Sequence, residues 1–281
     1  MKNILLPTDF SKNSINAINY AVELYKNIPC NFYILNVQKA SSFISDDMMS
    51  ISPAATIYNT IVDAAKKSIT NIIKKIDSRY KNDKHTLYSI VDYDNFVDSI
   101  NQACEKYDVD LIIMGTKGAS GLEKVIFGTN TVHVMQRCHV PVLAIPDGCK
   151  FSGLNNIAFT ASNLLAANIK TLEPLKDFIS LFDSSLKVLH IPDEKHIDQN
   201  QNSIFDFFKF YFKNVKHELL EVKKGDTYDV VHKFIENNNI DMLSFMDEKH
   251  SFFERFFTKH PVETFAFKID IPFLVMKKKD N

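Results

Sequence analysis

Basic charge is not in surplus in this chain: 33 Lys and Arg stand against 34 Asp and Glu, a formal net charge of -1 at pH 7. Nothing is left over to neutralise a phosphate backbone or to seek an anionic membrane, so neither nucleic acid nor a membrane is an expected partner. The Lys277-Lys278-Lys279 run reads as a solvated tail. Cysteine is also sparse. Cys30, Cys104, Cys138 and Cys149 show no CxxC spacing and are too few for a disulfide framework, so reduced thiols in a cytoplasmic protein are expected. No apolar run approaches the roughly 18 residues of a membrane span. The opening Ile4-Leu5-Leu6 meets Pro7 and Asp9 too soon for a signal peptide. The nine histidines are scattered without HExxH or paired spacing, and no cysteine joins them as a metal ligand set.

What is present is a soluble globular composition, 45% apolar and 24% charged, in 281 residues, enough for two ordinary domains. The sequence repeats itself. His85 to Ile145 overlays Lys216 to Met276 without a gap, pairing Val91 with Val222, Asp98 with Asp229, Glu105 with Glu236, Asp110 with Asp241, Pro141 with Pro272 and Leu143 with Leu274. Earlier, Asn3-Ile4 matches Asn156-Ile157 and Tyr33 to Val37 matches Lys187 to Ile191. The joint falls near Asp147 to Gly153, which divides the chain into domains over 1–147 and 154–281.

In the first half, Ile4 to Leu6, Phe32 to Val37, Leu87 to Val91, Leu111 to Met114 and Val140 to Ile145 read as strands. Three helical patterns lie between them. Ser11 is a plausible N-cap for Ile15, Ile18, Val22 and Tyr25; Ile57, Ile61, Ile69, Ile72 and Ile76 mark the second helix, and Phe96, Val97, Ile100, Cys104 and Tyr107 the third. Lys39 to Ala55 reads as a polar loop, with Asp193 to Ser203 in its place in the second half. Strand and helix in alternation, with strands apolar on both faces, predict an α/β fold of two tandem five-stranded parallel sheets with helices on both faces.

Glycine is scarce, yet Gly115, Gly118, Gly121 and Gly128, four of the chain's seven, fall within fourteen residues after the strand Leu111 to Met114. Gly121 also reads simply as a turn. Glycines let backbone N–H groups converge on an anion, because no Cβ holds the ligand away. Gly128-Thr129-Asn130-Thr131 then opens a helical stretch, Val132 to Arg137, whose free N–H groups and dipole attract negative charge. The spacing Gly115-x2-Gly118-x9-Gly128-Thr129 is neither a Walker loop nor GxGxxG.

This spacing resembles the ATP-binding signature of the universal stress protein family. The opening Ile4 to Ser11, the segment Leu35-Asn36-Val37 and the closing Val140 to Pro146 resemble the same family's start, second-strand end and close, so the likeness spans most of the first half. It implies strand order 3-2-1-4-5, with a ligand crevice where the sheet's direction of growth reverses. It also implies site residues. Pro7, Thr8 and Asp9 would border ribose and adenine, Val37 would meet adenine through its backbone, and Met114 and Gly115 would end the fourth strand beside them. Gly118, Gly128, Thr129, Asn130 and Thr131 would hold the phosphates of ATP, AMP or ADP, Lys117 would add positive charge, and Mg²⁺ would bridge phosphate oxygens. Asp9 has a second reading as the cap of the first helix, and Val37 as apolar core. His133, in the helix after the loop, reads as a surface or packing residue before a general base.

The second half has lost these residues. The constant offset puts Met246, Lys249, Lys259 and His260 at the positions of Gly115, Gly118, Gly128 and Thr129, and Ser162 at that of Asp9. Aromatic runs stand instead: Phe252-Phe253-Glu254-Arg255-Phe256-Phe257, and Phe205, Phe207, Phe208, Phe210, Tyr211 and Phe212. They suit packing first, and an apolar ligand or partner surface second. The expected function is a cytoplasmic ATP-binding stress-response or regulatory protein with nucleotide in the first half only. Its alternatives are a slow ATP hydrolase at the same site, without an evident catalytic base, and an interaction or apolar-ligand protein with a vestigial nucleotide site. In that family, fifth strands commonly pair across a dimer axis, so Val140 to Ile145 and Ile271 to Met276 are expected to pair as an intramolecular pseudo-dimer. A protein partner and a homodimer are further expected associations.

Overall fold

The computed structural model describes residues 1–38, 53–116, 127–161, 169–190, 210–212, 217–221, 227–247 and 270–277. Along the first half run β1 (Lys2–Pro7), α1 (Lys12–Leu24), β2 (Cys30–Val37), α2 (Pro53–Tyr80), β3 (His85–Asp92), α3 (Phe96–Lys106), β4 (Leu111–Gly115), α4 (Thr129–Arg137) and β5 (Val142–Ile145). The rest holds β6 (Asn156–Ala161), α5 (Ile169–Phe182), β7 (Ser185–His190), β8 (His217–Glu221), α6 (Thr227–Asn237), β9 (Met242–Asp247) and β10 (Phe273–Lys277). By contacts the chain divides into two compact units, with β1 to β4 and α1 to α4 in the first and β5 to β10 with α5 and α6 in the second.

The strands of the first half follow the order β3-β2-β1-β4-β5, as expected, and those after the joint follow the equivalent order β8-β7-β6-β9-β10. β1 pairs in parallel with β2 and β4, and β6 pairs in parallel with β7 and β9. Within the second unit, β10 also pairs antiparallel with β5, Leu274 opposite Leu143.

Register is set by a clasp that occurs twice. Asp110 accepts from the Asn3 N–H at 2.8 Å through a carboxylate oxygen, while its own N–H donates to the Asn3 carbonyl at 2.8 Å. The Asn3 amide donates to the carbonyls of Tyr107 and Asp108 at 3.0 and 3.2 Å. Asn156 and Asp241 reproduce the arrangement: the Asp241 carboxylate accepts from the Asn156 N–H at 2.8 Å, the Asp241 N–H donates to the Asn156 carbonyl at 2.8 Å, and the Asn156 amide reaches the Asn239 carbonyl at 3.2 Å. Asp108 and Asn239 both hold positive φ, 46° and 48°, a conformation that Asp and Asn tolerate better than most residues. The clasp places Ile4 beside Leu111 and Ile157 beside Met242, the pairing that the sequence repeat requires.

Ser11 caps α1 by accepting from the Ser14 N–H at 3.2 Å, and Asn95 caps α3 by accepting from Val97 at 3.0 Å. Of the expected α1 stripe, Ile18, Val22 and Tyr25 are buried and Ile15 is half-buried; Ala17 and Ala21 widen the buried face. Four expectations shift. α2 begins at Pro53, inside the expected loop, because proline is favourable in a first helical turn. β5 starts at Val142, since Pro141 has no N–H for a ladder. α4 starts at Thr129, with Gly128 as its cap. β1 and β4 are buried as predicted, but β3 has only exposed and half-buried residues, because it lies at the end of the strand order. The remainder of the two expected loops, 39–52 and 193–203, lies outside the described residues.

All four cysteines are free thiols. Burial pushes Cys30 and Cys104 from the ordinary 9.0 up to about 12. Burial, reinforced by a hydrogen bond to Glu23, raises Tyr80 from 10.0 to about 12. These groups ionise at lower pH in the unfolded chain than in the folded one. Their contribution is therefore intact below about pH 9 and is lost as pH rises towards 12, each group costing on the order of 1 kcal/mol per pH unit. Denaturant unfolding at pH 8 and pH 10.5 is expected to give a clearly lower midpoint at the higher pH, and Cys104→Ala to flatten that difference.

Candidate functional site

Because β1 lies between β2 and β4, its carboxyl end opens where the sheet's growth reverses, the place where open α/β sheets take ligands. Pro7 and Thr8 are buried there and Asp9 is exposed. The chain turns through Phe10 at φ 65°. The Thr8 hydroxyl accepts from the Phe10 N–H at 3.0 Å and lies 2.9 Å from the Ser14 hydroxyl, inside the protein. The Asp9 carboxylate accepts from the Ser11 N–H at 3.1 Å, one residue ahead of the helix, so the cap itself is Ser11.

Asn36 ties this turn to β2. Its amide donates to the Thr8 carbonyl at 2.8 Å, the Thr8 N–H donates to the Leu35 carbonyl at 2.8 Å, and Gln38 donates to the Asn36 side chain at 2.6 Å. Asn36 is absent from the expected site set, although a buried amide inside the apolar run Tyr33 to Val37 is a readable signal of such a tie. Val37 is half-buried at the end of β2.

On the other side of β1, Met114 is buried and Gly115 closes β4. A Cβ at Gly115 would come within 2.9 Å of the Asn13 side chain and 3.1 Å of the Asn13 carbonyl carbon. The glycine thus lets α1 approach β4, a reason for it beyond phosphate binding. The Gly128 N–H donates to the Thr116 carbonyl at 2.6 Å, and the buried Thr131 hydroxyl donates to the Gly115 carbonyl at 3.0 Å, which fixes the start of α4 to the end of β4. Gly128 caps α4 without a side-chain hydrogen bond, and no acidic residue stands in the first turn. Thr129 and Asn130 are exposed there, and His133 is half-buried further along α4.

The carboxyl ends of β2, β1 and β4 and the amino end of α4 therefore gather Pro7, Thr8, Asp9, Val37, Met114, Gly115, Gly128, Thr129, Asn130 and Thr131. The hydroxyls of Thr8 and Thr131 are bonded within the protein. Lys117, Gly118 and Gly121 lie outside the described residues. So do Ser162, Lys249, Lys259 and His260 of the second half, and the aromatic run from Phe252 to Phe257 with Phe205, Phe207 and Phe208. Met246 ends buried on β9, where the first half has Gly115; Phe212 is buried and Phe210 exposed. Among the described residues, no group of three or more His, Cys, Asp and Glu is placed to hold a metal, and no helix is long and apolar enough to cross a membrane.

The universal stress protein family model matches residues 1–146. The chain belongs to the universal stress protein family. Universal stress protein MJ0531 of Methanocaldococcus jannaschii is 27% identical over 144 residues, covering 51% of this chain and 81% of its own length. Universal stress protein A homolog 1 of Coxiella burnetii is 26% identical over 144 residues, 51% of this chain and 95% of its own. A solved universal stress protein from Archaeoglobus fulgidus covers 99% of this chain and 97% of its own at 17% identity and TM-score 0.64, a likeness of fold alone. In this universal stress protein the tight packing of Gly115 makes a test. Gly115→Val is expected to lower unfolding stability by roughly 1–3 kcal/mol, since part of the overlap is with Asn13 backbone. Thr131→Val, which loses one buried hydrogen bond, is expected to cost about 1 kcal/mol in the same denaturant titration.

Proposed function

We propose that this chain is a cytoplasmic regulatory protein of the stress response that binds an adenine nucleotide, ATP in the first instance, in its first half only. The observation that carries the reading is the start of α4: a nine-residue helix whose cap, Gly128, makes no side-chain hydrogen bond, fixed beside the ends of β1 and β4 at the reversal of strand order. N–H groups at such an end suit phosphate. Gly115, Lys117, Gly118, Gly128, Thr129 and Asn130 would hold the phosphates, with Mg²⁺ bridging phosphate oxygens. Pro7, Thr8 and Asp9 would border ribose and adenine, and Val37 would offer its backbone to the base. The Thr8 and Thr131 hydroxyls, already bonded inside the protein, would support these groups rather than touch the ligand.

Met246 underlies the restriction to one half. It puts a buried side chain where the first half has a glycine, one residue before the end of β9, the strand equivalent to β4. The second half, 154–281, would then respond to occupancy of the first, 1–147, as one side of an intramolecular pseudo-dimer, a reading to which the β5 and β10 pairing lends support. The nucleotide's role is control of contacts with a protein partner.

ATP at a hundredfold excess over Kd is expected to stabilise the protein by about 2.7 kcal/mol, read as a rise in melting temperature. Gly128→Asp separates fold from site. Gly128 has φ -68°, which aspartate adopts without strain, and aspartate is as good a cap as glycine or better, so the unliganded melting temperature should hold or rise slightly. Its carboxylate would repel phosphate, and the ATP-dependent rise should vanish. An equal rise in both proteins would overturn the reading.

A further inference from the structure

We propose that the outer edge of β3 is a self-association surface, at which two copies of this chain pair antiparallel about a twofold axis through Tyr88. β3 ends the strand order of the first half, and among the described residues no strand pairs with it on the side away from β2. Edge strands are ordinarily guarded by lysine, proline, a bulge or an inward charge. This one is not. Thr86 to Val91 contains no charge and no proline, and its register with β2 runs one to one from His85 to Asp92 without a bulge.

An aromatic stack leads to this edge. Tyr107, at the end of α3, stacks on Tyr33 at 4.5 Å and 21°, and Tyr33 stacks on Tyr88, its partner across β2 and β3, at 5.0 Å and 13°, the spacing of neighbouring strands. The stack stops at Tyr88, which is 43% exposed. A further strand carrying an aromatic residue in register would continue it.

The sequence of β3 supplies that residue from a second copy. The ladder to β2 uses the carbonyls of Lys84 and Asp92, which accept from Cys30 and Gln38. By two-residue alternation the backbone groups of Leu87, Ser89 and Val91 point away from β2. A twofold axis normal to the sheet at Tyr88 sets Leu87 opposite the partner's Ser89, as a hydrogen-bonded pair. Tyr88 then faces the partner's Tyr88 as a non-hydrogen-bonded pair, the kind whose side chains lie closest. The same register puts Lys84 opposite the partner's Asp92, twice, on the tyrosine face. Lys84 is exposed and donates to the Asn27 carbonyl at 3.1 Å, and the Asp92 carboxylate accepts from the Tyr93 N–H at 2.8 Å; among the described residues neither is tied into an ion pair that the new contact must break. Self-complementary charge at both ends of an unguarded edge selects a second copy over an unrelated strand.

A contact of one strand pair is smaller than a standard interface, so a reversible dimer with Kd on the order of 10⁻⁵ M is expected. Sedimentation velocity of the full chain across concentration reads it. Ser89→Pro removes an outward N–H that the β2 ladder does not use and should weaken the dimer at least about tenfold with an unchanged melting temperature. Lys84→Glu should weaken it by like charge, and Lys84→Glu with Asp92→Lys should restore it. A wild-type chain that stays monomeric up to about 500 μM, about fiftyfold above the expected Kd, would overturn the proposal. So would a dimer unaffected by Ser89→Pro, or a double charge swap that fails to recover what the single change lost.

Discussion

The placement of β1 against β4 is the constraint on which the rest depends. One Asn and one Asp, far apart in sequence, exchange backbone and carboxylate hydrogen bonds at the lower end of the two strands and lock their register. Once Ile4 is level with Leu111, the upper ends of the strands must also come level, and Pro7, Thr8 and Gly115 arrive together. A slip of one residue would send each side chain of one strand to the opposite face of the sheet, away from the neighbours it packs against. The clasp is worth several hydrogen bonds of about 1 kcal/mol each, but its larger effect is to remove alternative registers. That Asn156 and Asp241 repeat it with the same partners marks register as the feature both halves retain.

At the opposite end of β1, the polar side chains mostly serve the protein. Thr8, Ser14 and Asn36 close a hydrogen-bonded turn that holds the chain between β1, α1 and β2, and Thr131 fixes α4 to β4. The rigid frame leaves to the helix end what it cannot give with side chains: N–H groups from a cap that has no side chain of its own. Were the proposed nucleotide bound there, preorganisation of this kind would lower the ordering cost, with bonded threonines framing a bare glycine cap.

The site was partly legible in the residues. The cluster of glycines after an apolar run, and the Ser11 cap, were readable because both follow from local backbone requirements. The roles of Thr8 and Thr131 were not, since a hydroxyl looks alike in sequence whether it faces a ligand or a carbonyl sixteen residues away. Gly115 read as a phosphate residue, and the fold adds a second reason for it, the close approach of Asn13 on α1. Asn36 was quoted as part of a strand end and proved to be the tie between two strands. The exposure of β3 is hidden for a related reason: its apolar run carries no sign of whether another strand lies beyond it.

Sequence alone determined the alternation of strands and helices and the constant offset that sets Met246 at the position of Gly115, because each is written in local pattern or in the spacing of matching residues. Only the tertiary structure decided which strands are neighbours, which hydroxyls are already bonded, and that Tyr107, Tyr33 and Tyr88 form one stack ending at a sheet edge. Those outcomes rest on contacts between residues distant in the chain, and no local preference encodes a partner's position.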